Sequence, residues 1–308
     1  MTIADTVIPQ RSYSVSEAFE FCAKITEAHY ENFPVASLFL PEEKRPYIQA
    51  IYAFSRTADD FADEFDKSPV ERLELLDDWE AKLRRCFEGD SDHPVFVALD
   101  ETRQRLNLPI DLFTDLLKAF KQDVTKRRYA SFDELLEYCR CSANPVGRLV
   151  LLVFGYRDEK LHVLSDHICT ALQLANFWQD IGIDWRSDRL YLPLDEVRRY
   201  GYSEEQWKNQ VVDDSFGELM RFQVERTRDL FYRGASLPDL VERDLRLELR
   251  LVWFGGMTIL RKLERNRYDA FRRRPTLNAV AKFTILLRGL FIHRLTAFGK
   301  REDPWVPM

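Results

Sequence analysis

The sequence predicts an all-α chain folded as one large helical domain, and three observations carry that prediction. Glycine is scarce, at 11 of 308 residues, and no long stretch alternates apolar and polar residues as a strand would. Capping boxes, in which a serine and a glutamate three residues on close the first turn of a helix, recur at Ser14–Glu17, Ser68–Glu71 and Ser131–Glu134. Prolines mark further helix starts at Pro41, Pro46, Pro94, Pro109 and Pro238. No repeat, low-complexity segment or linker interrupts the chain. The reading is therefore a loose tail over 1–13 and a single domain over 14–308.

In order, the first capping box opens a helix through Phe21, Ile25 and His29 that Pro34 ends. His29 and Asn32 at its end either face a ligand or cap the helix themselves. The next helix begins near Pro46 and carries an acidic stretch described below. Helices follow over about 69–88, 93–106 and 109–126. Leu73, Leu76, Trp79 and Leu83 form a packing stripe on the first of these. Asp123, Lys126, Arg127 and Arg128 close the last, where the cations complement the helix dipole. The third box starts a long helix through Tyr138 and Phe154, which Asn144-Pro145-Val146-Gly147 should kink or break. Helices over about 161–184 and 213–234 come next. Another runs from Pro238 to about Phe271, with Gly255-Gly256 a weak spot in it. The basic run from Arg265 to Arg274 reads as a solvated face, or as a surface for phosphate or an anionic membrane. An amphipathic helix over about 276–298 closes the chain, to pack on its neighbours or to lie on a bilayer.

A net charge of −6 and a pI near 5.6 weigh against nucleic acid as a partner. Five cysteines make an odd set without metal-ligand spacing, and Cys139-Arg-Cys141 reads as a helix coincidence. With no signal-peptide pattern and no membrane-length apolar run, a cytoplasmic protein with reduced thiols is expected. No Gly-rich dinucleotide fingerprint or P-loop occurs, which weighs against nicotinamide or flavin chemistry.

Two acidic stretches dominate the chemistry. At about 100° per residue, Tyr52, Arg56, Asp59 and Asp63 fall within about 60° of one another on a helix. Gln173, Asn176, Asp180 and Asp184 do the same on a second. Apolar flanks, Ile48, Ile51, Phe54 and Phe61 on one and Leu172, Leu174, Phe177 and Ile181 on the other, predict carboxylates that point inward. Either stripe alone would read as a solvated helix face. Two of them call for cations between, and Mg²⁺, completed by phosphate oxygens, suits oxygen-only donors. The expected metal ligands are Asp59, Asp60, Asp63, Asp180 and Asp184, and the expected chemistry is Mg²⁺-dependent handling of a diphosphate.

The stretches Tyr52–Asp63, Tyr138-Cys139 with Val146-Gly147, Gln173–Asp184 and Arg189-Leu-Tyr191-Leu-Pro193, in that order, resemble the squalene/phytoene synthase family. The resemblance covers about His29 to Tyr268. It implies an isoprenoid-synthase helical bundle with a central cavity, in which both aspartate motifs hold Mg²⁺ on a diphosphate and Arg56 binds phosphate oxygens. It further implies that Tyr52, Tyr138, Gln173 and Asn176 line the reaction cavity. Catalytic roles fall to Asp59, Asp63, Asp180, Asp184 and Tyr138; substrate binding falls to His29, Asn32, Phe33, Tyr52, Arg56, Asn144, Gln173, Asn176 and Arg189. Aromatic candidates to stabilise a carbocation are Phe33, Tyr52, Phe54 and Tyr138.

Departures from the family pattern narrow the expectation. Gln179 and Ile183 stand where an arginine and a glutamate are usual, and Asn144-Pro145 where Ala-Gly is usual. The stretches His29–Ser37, Asn144–Gly147 and Asn176–Asp180 resemble the hydroxysqualene synthase branch, which turns presqualene diphosphate and water into hydroxysqualene on a route to hopanoids. Functional partners would be the preceding and following enzymes of the squalene route, and membrane contact would be peripheral. The alternatives are coupling of two prenyl diphosphates to presqualene diphosphate, squalene or phytoene, and a non-catalytic assembly protein of the same fold.

Overall fold

A computed structural model describes residues 13–28, 41–64, 66–292 and 295. Among these residues every regular element is a helix, as the sequence predicts. The chain forms two compact units, Met1–Lys126 with Pro145–Arg157, and Arg127–Asn144 with Asp158–Met308.

The first unit holds α1 (Val15–Ala28), α2 (Arg45–Ala62), α3 (Pro69–Phe87), α4 (Pro94–Leu106), α5 (Ile110–Thr125) and all but the first residue of α7 (Asn144–Val153). Ser14 and Ser68 form the expected boxes with Glu17 and Glu71. Helix α2 packs against α1, α3, α4 and α5 and buries Ile48, Ile51, Phe54 and Ala58. Phe54 is fully buried among Trp79, Phe96 and Phe113, with ring centroids 5.4–6.1 Å away. The expectation that it faces a substrate cation is therefore corrected: its position on the helix aims it into the core, where aromatic edge and face contacts hold it. Two buried donors fix the helix. Trp79 Nε1 donates to the Phe54 carbonyl at 3.3 Å, and Arg72 Nη1 to the terminal Ala62 carbonyl at 2.8 Å.

The second unit holds α6 (Phe132–Ser142), α8 (Glu159–Arg186), α9 (Leu194–Arg199), α10 (Glu204–Lys208), α11 (Asp214–Gly234), α12 (Arg243–Arg265) and α13 (Ala279–Phe291). Helix α8 lies along α11 and also meets α6 and α12. Trp178 Nε1 of α8 donates to Thr227 Oγ1 of α11 at 2.9 Å, inside the core. A buried carboxylate clamps α9 to α11: Glu196 accepts from both terminal nitrogens of Arg226, at 2.6 and 2.7 Å, and from Gln223.

The predicted long helix breaks at Ala143, between α6 and α7, so Pro145 enters the first turn of α7, where no amide donor is required. Other expectations need correction. The Ser131 box is half made, because the Glu134 carboxylate accepts from the Ala130 amide rather than from Ser131. The helix expected over 238–271 is a 3-10 turn at Leu237–Asp239 followed by α12. It stops short of Phe271 because Arg267 and Tyr268 turn left-handed, at φ 56° and 63°. Gly256 is no weak spot, since it lets α12 approach the Phe231 ring, which a Cβ would strike. The last helix starts later than expected because Asn278 caps it, accepting from the Ala281 amide at 2.9 Å.

Candidate functional site

Each acidic pair sits at the C-terminal end of its helix. Asp59 and Asp60 occupy the last turn of α2, with Asp63 its C-cap, and Asp180 and Asp184 lie in the last two turns of α8. The helix dipole disfavours negative charge there by about 0.3–1 kcal/mol per group, so helix stability does not account for acids at both ends. Guanidinium groups offset the charge instead.

In the first unit, Arg56 bridges Asp59, at 3.3 Å, and Asp60. Desolvation opposes the Arg56 charge, but the hydrogen bond to Asp60 and the fields of both acids raise its pKa above the ordinary value. The expectation of inward-pointing carboxylates holds for Asp60 alone, which is 8% exposed. Its position lies about 100° around from Asp59, toward the packed face, whereas Asp59 is half-exposed and Asp63 exposed. Tyr52 lies half-buried one turn before Arg56. Glu64, which the sequence reading passed over, is buried beside Asp63 and accepts from Lys67 at 2.7 Å. Asp60 Oδ2 and Glu64 Oε2 are buried without a hydrogen-bond partner.

In the second unit, Asp180 is held by Arg274 in a two-point pair, Nε on Oδ1 and Nη2 on Oδ2, the latter at 3.1 Å. The hydrogen bond to Asp180 raises the Arg274 pKa, with the Asp184 charge adding to it. Arg274 stands 94 residues from Asp180 in the chain, within the basic run of 265–274. Beyond Asp184 the chain leaves α8 through backbone bonds from Ser187 and Arg189 to the Asp184 carbonyl, at 3.1 and 2.8 Å. It then runs beside 127–130: Leu190 donates to Arg127, Leu194 to Tyr129, and Arg128 pairs with Asp188. This fixes Tyr191, whose ring stacks on Phe177 at 3.7 Å and 7°. Tyr138 and Tyr129 complete an aromatic cluster, with centroids 5.6–6.0 Å apart. Tyr138 was expected in the cavity; Phe177, Tyr191 and Tyr129 were not singled out for a cation, although the Arg189-Leu-Tyr191 stretch pointed to one of them.

The remaining expected residues are placed separately. On α8, Gln173 is half-buried and Asn176 exposed, along the face of Asp180 and Asp184. Arg189 is half-buried in the following loop. Asn144 Oδ1 accepts from Thr170 Oγ1 at 2.9 Å, so its oxygen serves α8. His29, Asn32 and Phe33 lie outside the described residues.

Among the described residues no three His, Cys, Asp or Glu side chains are grouped to hold a metal ion. Mg²⁺ commonly takes one or two carboxylates and completes its shell with water and phosphate, so it needs no such group. The oxygen-only donors, the partnerless oxygens of Asp60 and Glu64 and the cation on Asp180 all fit a positively charged ligand.

The family model described as squalene/phytoene synthase matches residues 26–281. A phytoene synthase from Arthrospira platensis is 34% identical over 272 residues, covering 84% of this chain and 88% of its own. A hydroxysqualene synthase from Zymomonas mobilis is 43% identical over 175 residues, covering 56% of this chain and 57% of its own. Among solved structures, squalene synthase HpnC from Alicyclobacillus acidocaldarius superposes with a TM-score of 0.79 at 39% identity, covering 82% of this chain and 95% of its own.

Proposed function

The chain belongs to the squalene/phytoene synthase family, and from that membership we propose that it converts presqualene diphosphate and water into hydroxysqualene and diphosphate. Membership makes it an all-α isoprenoid enzyme with the squalene synthase fold. The observation that carries the finer reading is the second motif. Gln179 brings no charge and uses its amide on the Pro275 carbonyl, at 2.7 Å. Ile183 puts an exposed apolar side chain where the family usually has an acid. A motif with two acids and neither flanking charge suits a site that binds one diphosphate rather than two. The Zymomonas relative supports the same reading.

In this proposal the two acidic motifs, Asp59 with Asp63 and Asp180 with Asp184, would each hold Mg²⁺ for a diphosphate, and Asp60 orients Arg56. Bound Mg²⁺ would stabilise the charge that develops on the leaving group. The carbon–oxygen bond breaks and its electron pair leaves with the diphosphate. The cyclopropane opens in the carbocation that remains, and half-buried Tyr191, backed by Phe177 and Tyr138, would offer it a ring. Water adds through oxygen and loses a proton, giving the alcohol. Substrate contacts are completed by Tyr52, Gln173, Asn176 and Arg189, together with His29, Asn32 and Phe33.

A second reading is favoured by the phytoene synthase likeness over 84% of the chain: coupling of two prenyl diphosphates. Incubation with each substrate separates the two. Hydroxysqualene should form from presqualene diphosphate without NADPH, and farnesyl diphosphate alone should yield nothing. Presqualene diphosphate, squalene or phytoene from prenyl diphosphates alone would replace the first reading with the second.

No helix among the described residues is long and apolar enough to cross a membrane. Peripheral contact is proposed through α13. That helix buries Ile285 and Gly289, while Val280, Phe283, Leu287, Leu290 and Phe291 stay exposed, Phe283 by 61% and Phe291 by 73%. At about 100° per residue these five fall on the side away from Ile285, and Lys282 and Arg288 flank them with no acid in the helix. Phe283→Asp with Phe291→Asp is expected to weaken co-sedimentation with phosphatidylserine-containing vesicles by about tenfold or more. Unchanged binding would remove α13 from the contact.

A further inference from the structure

Tyr191 reaches its place through a segment with no helix of its own. Residues 187–193 run beside 127–130, zipped by backbone bonds from Leu190 to Arg127 at 2.9 Å, Leu194 to Tyr129 at 3.0 Å and Asp195 to Ala130 at 3.1 Å. Neither segment belongs to a helix, so the zipper needs an anchor outside itself. Arg226 of α11 supplies it twice. Its terminal nitrogens donate to Glu196, in the first turn of α9, at 2.6 and 2.7 Å. Its guanidinium also lies over the ring of Phe132, the first residue of α6, at 3.3 Å. Glu196 and Phe132 stand just beyond the two zipped segments. Gln223, fully buried, completes the joint: its Nε2 donates to Glu196 at 2.8 Å and its Oε1 accepts from Arg226.

The same turn of α11 is tied to the other partner of Tyr191. Thr227, next to Arg226, accepts from Trp178 Nε1 at 2.9 Å. Trp178 adjoins Phe177, on which the Tyr191 ring stacks. A closed circuit of contacts thus runs from Phe177 and Trp178 through Thr227, Arg226 and Glu196 to Tyr191. Stability alone does not call for a charged joint in it. The Arg226 side chain is 16% exposed and that of Glu196 12%, and burial lowers the Arg226 pKa although Glu196 opposes the shift. Apolar pairs of similar volume often replace such buried ion pairs without loss of stability. They cannot replace a planar fork that fixes both the distance and the direction of its carboxylate. Direction matters for a ring that serves a carbocation, because the attraction needs the cation over the ring face, within about 6 Å of its centroid.

We propose that Arg226 is a positioning residue for the reaction: acting through Glu196 and Phe132, it sets the Tyr191 ring on Phe177 and so fixes where the carbocation rests when water adds. The assignment rests on the proposed conversion of presqualene diphosphate, whereas the placement of the ring does not. With the ring in register, the cation is held until water joins carbon through oxygen and gives up a proton. With the ring displaced, a carbon-bound proton passes to water before addition, and the electron pair of that C–H bond becomes a double bond in a hydrocarbon. Control is over product rather than over binding, since Tyr191 acts on a charge that exists only after the diphosphate has left.

Arg226→Met combined with Glu196→Leu tests this in the full chain. The double variant should unfold at the same temperature as the unmodified protein or higher. Its kcat for hydroxysqualene should still fall about 3- to 30-fold, the range of a lost cation–π contact. KM for presqualene diphosphate should stay unchanged and hydrocarbon products should rise. Arg226→Lys, which keeps the charge without the fork, should show the same changes at smaller size and carries the same readings should the double variant fail to fold. In a Tyr191→Leu background the double variant should have no further effect, because both changes act through one ring. Replacing Tyr191 by 3-fluorotyrosine reports on the ring itself: in the double variant its fluorine resonance should move toward that of the free amino acid. An unmoved resonance would overturn the assignment, and so would full hydroxysqualene output or an additive loss in the Tyr191→Leu background. An unmodified protein that leaves presqualene diphosphate intact would overturn the reaction instead, and the fluorine spectrum would still decide whether Arg226 places Tyr191.

Discussion

Replacing Asp59 and Asp63 together by asparagine is expected to lower kcat/KM for diphosphate release by about 10³-fold or more, a barrier increase of about 4 kcal/mol. The same double variant should unfold at the same temperature as the unmodified protein, or slightly higher. Activity falls because charge on a leaving diphosphate is met largely by metal ions and fixed cations, and neutral amides hold Mg²⁺ poorly. Stability is spared for three reasons. Neither side chain belongs to the packed face of α2, which Ile48, Ile51, Phe54 and Ala58 make. Asparagine keeps the shape of aspartate and an oxygen that can accept from Arg56. Both acids also lie where the dipole of α2 opposes negative charge, so neutralising them removes a small penalty. Turnover of diphosphate substrate close to that of the unmodified enzyme would show that α2 does not hold the metal. A large fall in unfolding temperature would make these acids structural.

The parts of the fold and site legible in the sequence are those set by neighbours a few residues apart. The spacing of Arg56, Asp59 and Asp60 fixes their salt bridges, because i, i+3 and i, i+4 residues share a helix face. The Ser68–Glu71 box and the break at Ala143 are local for the same reason. Arg274 on Asp180 was not legible, since a turn 94 residues away delivers it. The stack of Phe177 on Tyr191 depends on the loop after α8 running beside 127–130, which no periodicity announces. Phe54, a candidate for a cation, lies about 200° around the helix from Arg56, on the face that packs into the core. Gly256 was read as a helix defect because glycine lowers propensity, whereas its neighbour Phe231 requires the missing side chain.

Replacing Glu248 by glutamine is expected to raise stability at pH 8 by about 3 kcal/mol and to leave it nearly unchanged at pH 4. Glu248 lies in α12, 7% exposed, with Oε2 buried and without a hydrogen-bond partner. Burial pushes its pKa from 4.5 up to about 7. Between those values the native chain holds a proton that the unfolded chain has released, so stability falls as pH rises. The contribution is complete below about 4.5 and lost by the time pH passes about 7, where a charged carboxylate must stay buried. Glutamine is never charged and removes that slope. His93 works in the opposite sense: burial lowers its pKa from 6.5 to about 4, so it weakens the fold as pH falls through that range. Because His93 is present in both proteins, the difference between their urea-unfolding free energies isolates Glu248. That difference should grow across pH 4.5 to 7 and then level. Parallel curves over the whole range would mean that Glu248 is solvated or paired in solution, and α12 would then carry no buried acid.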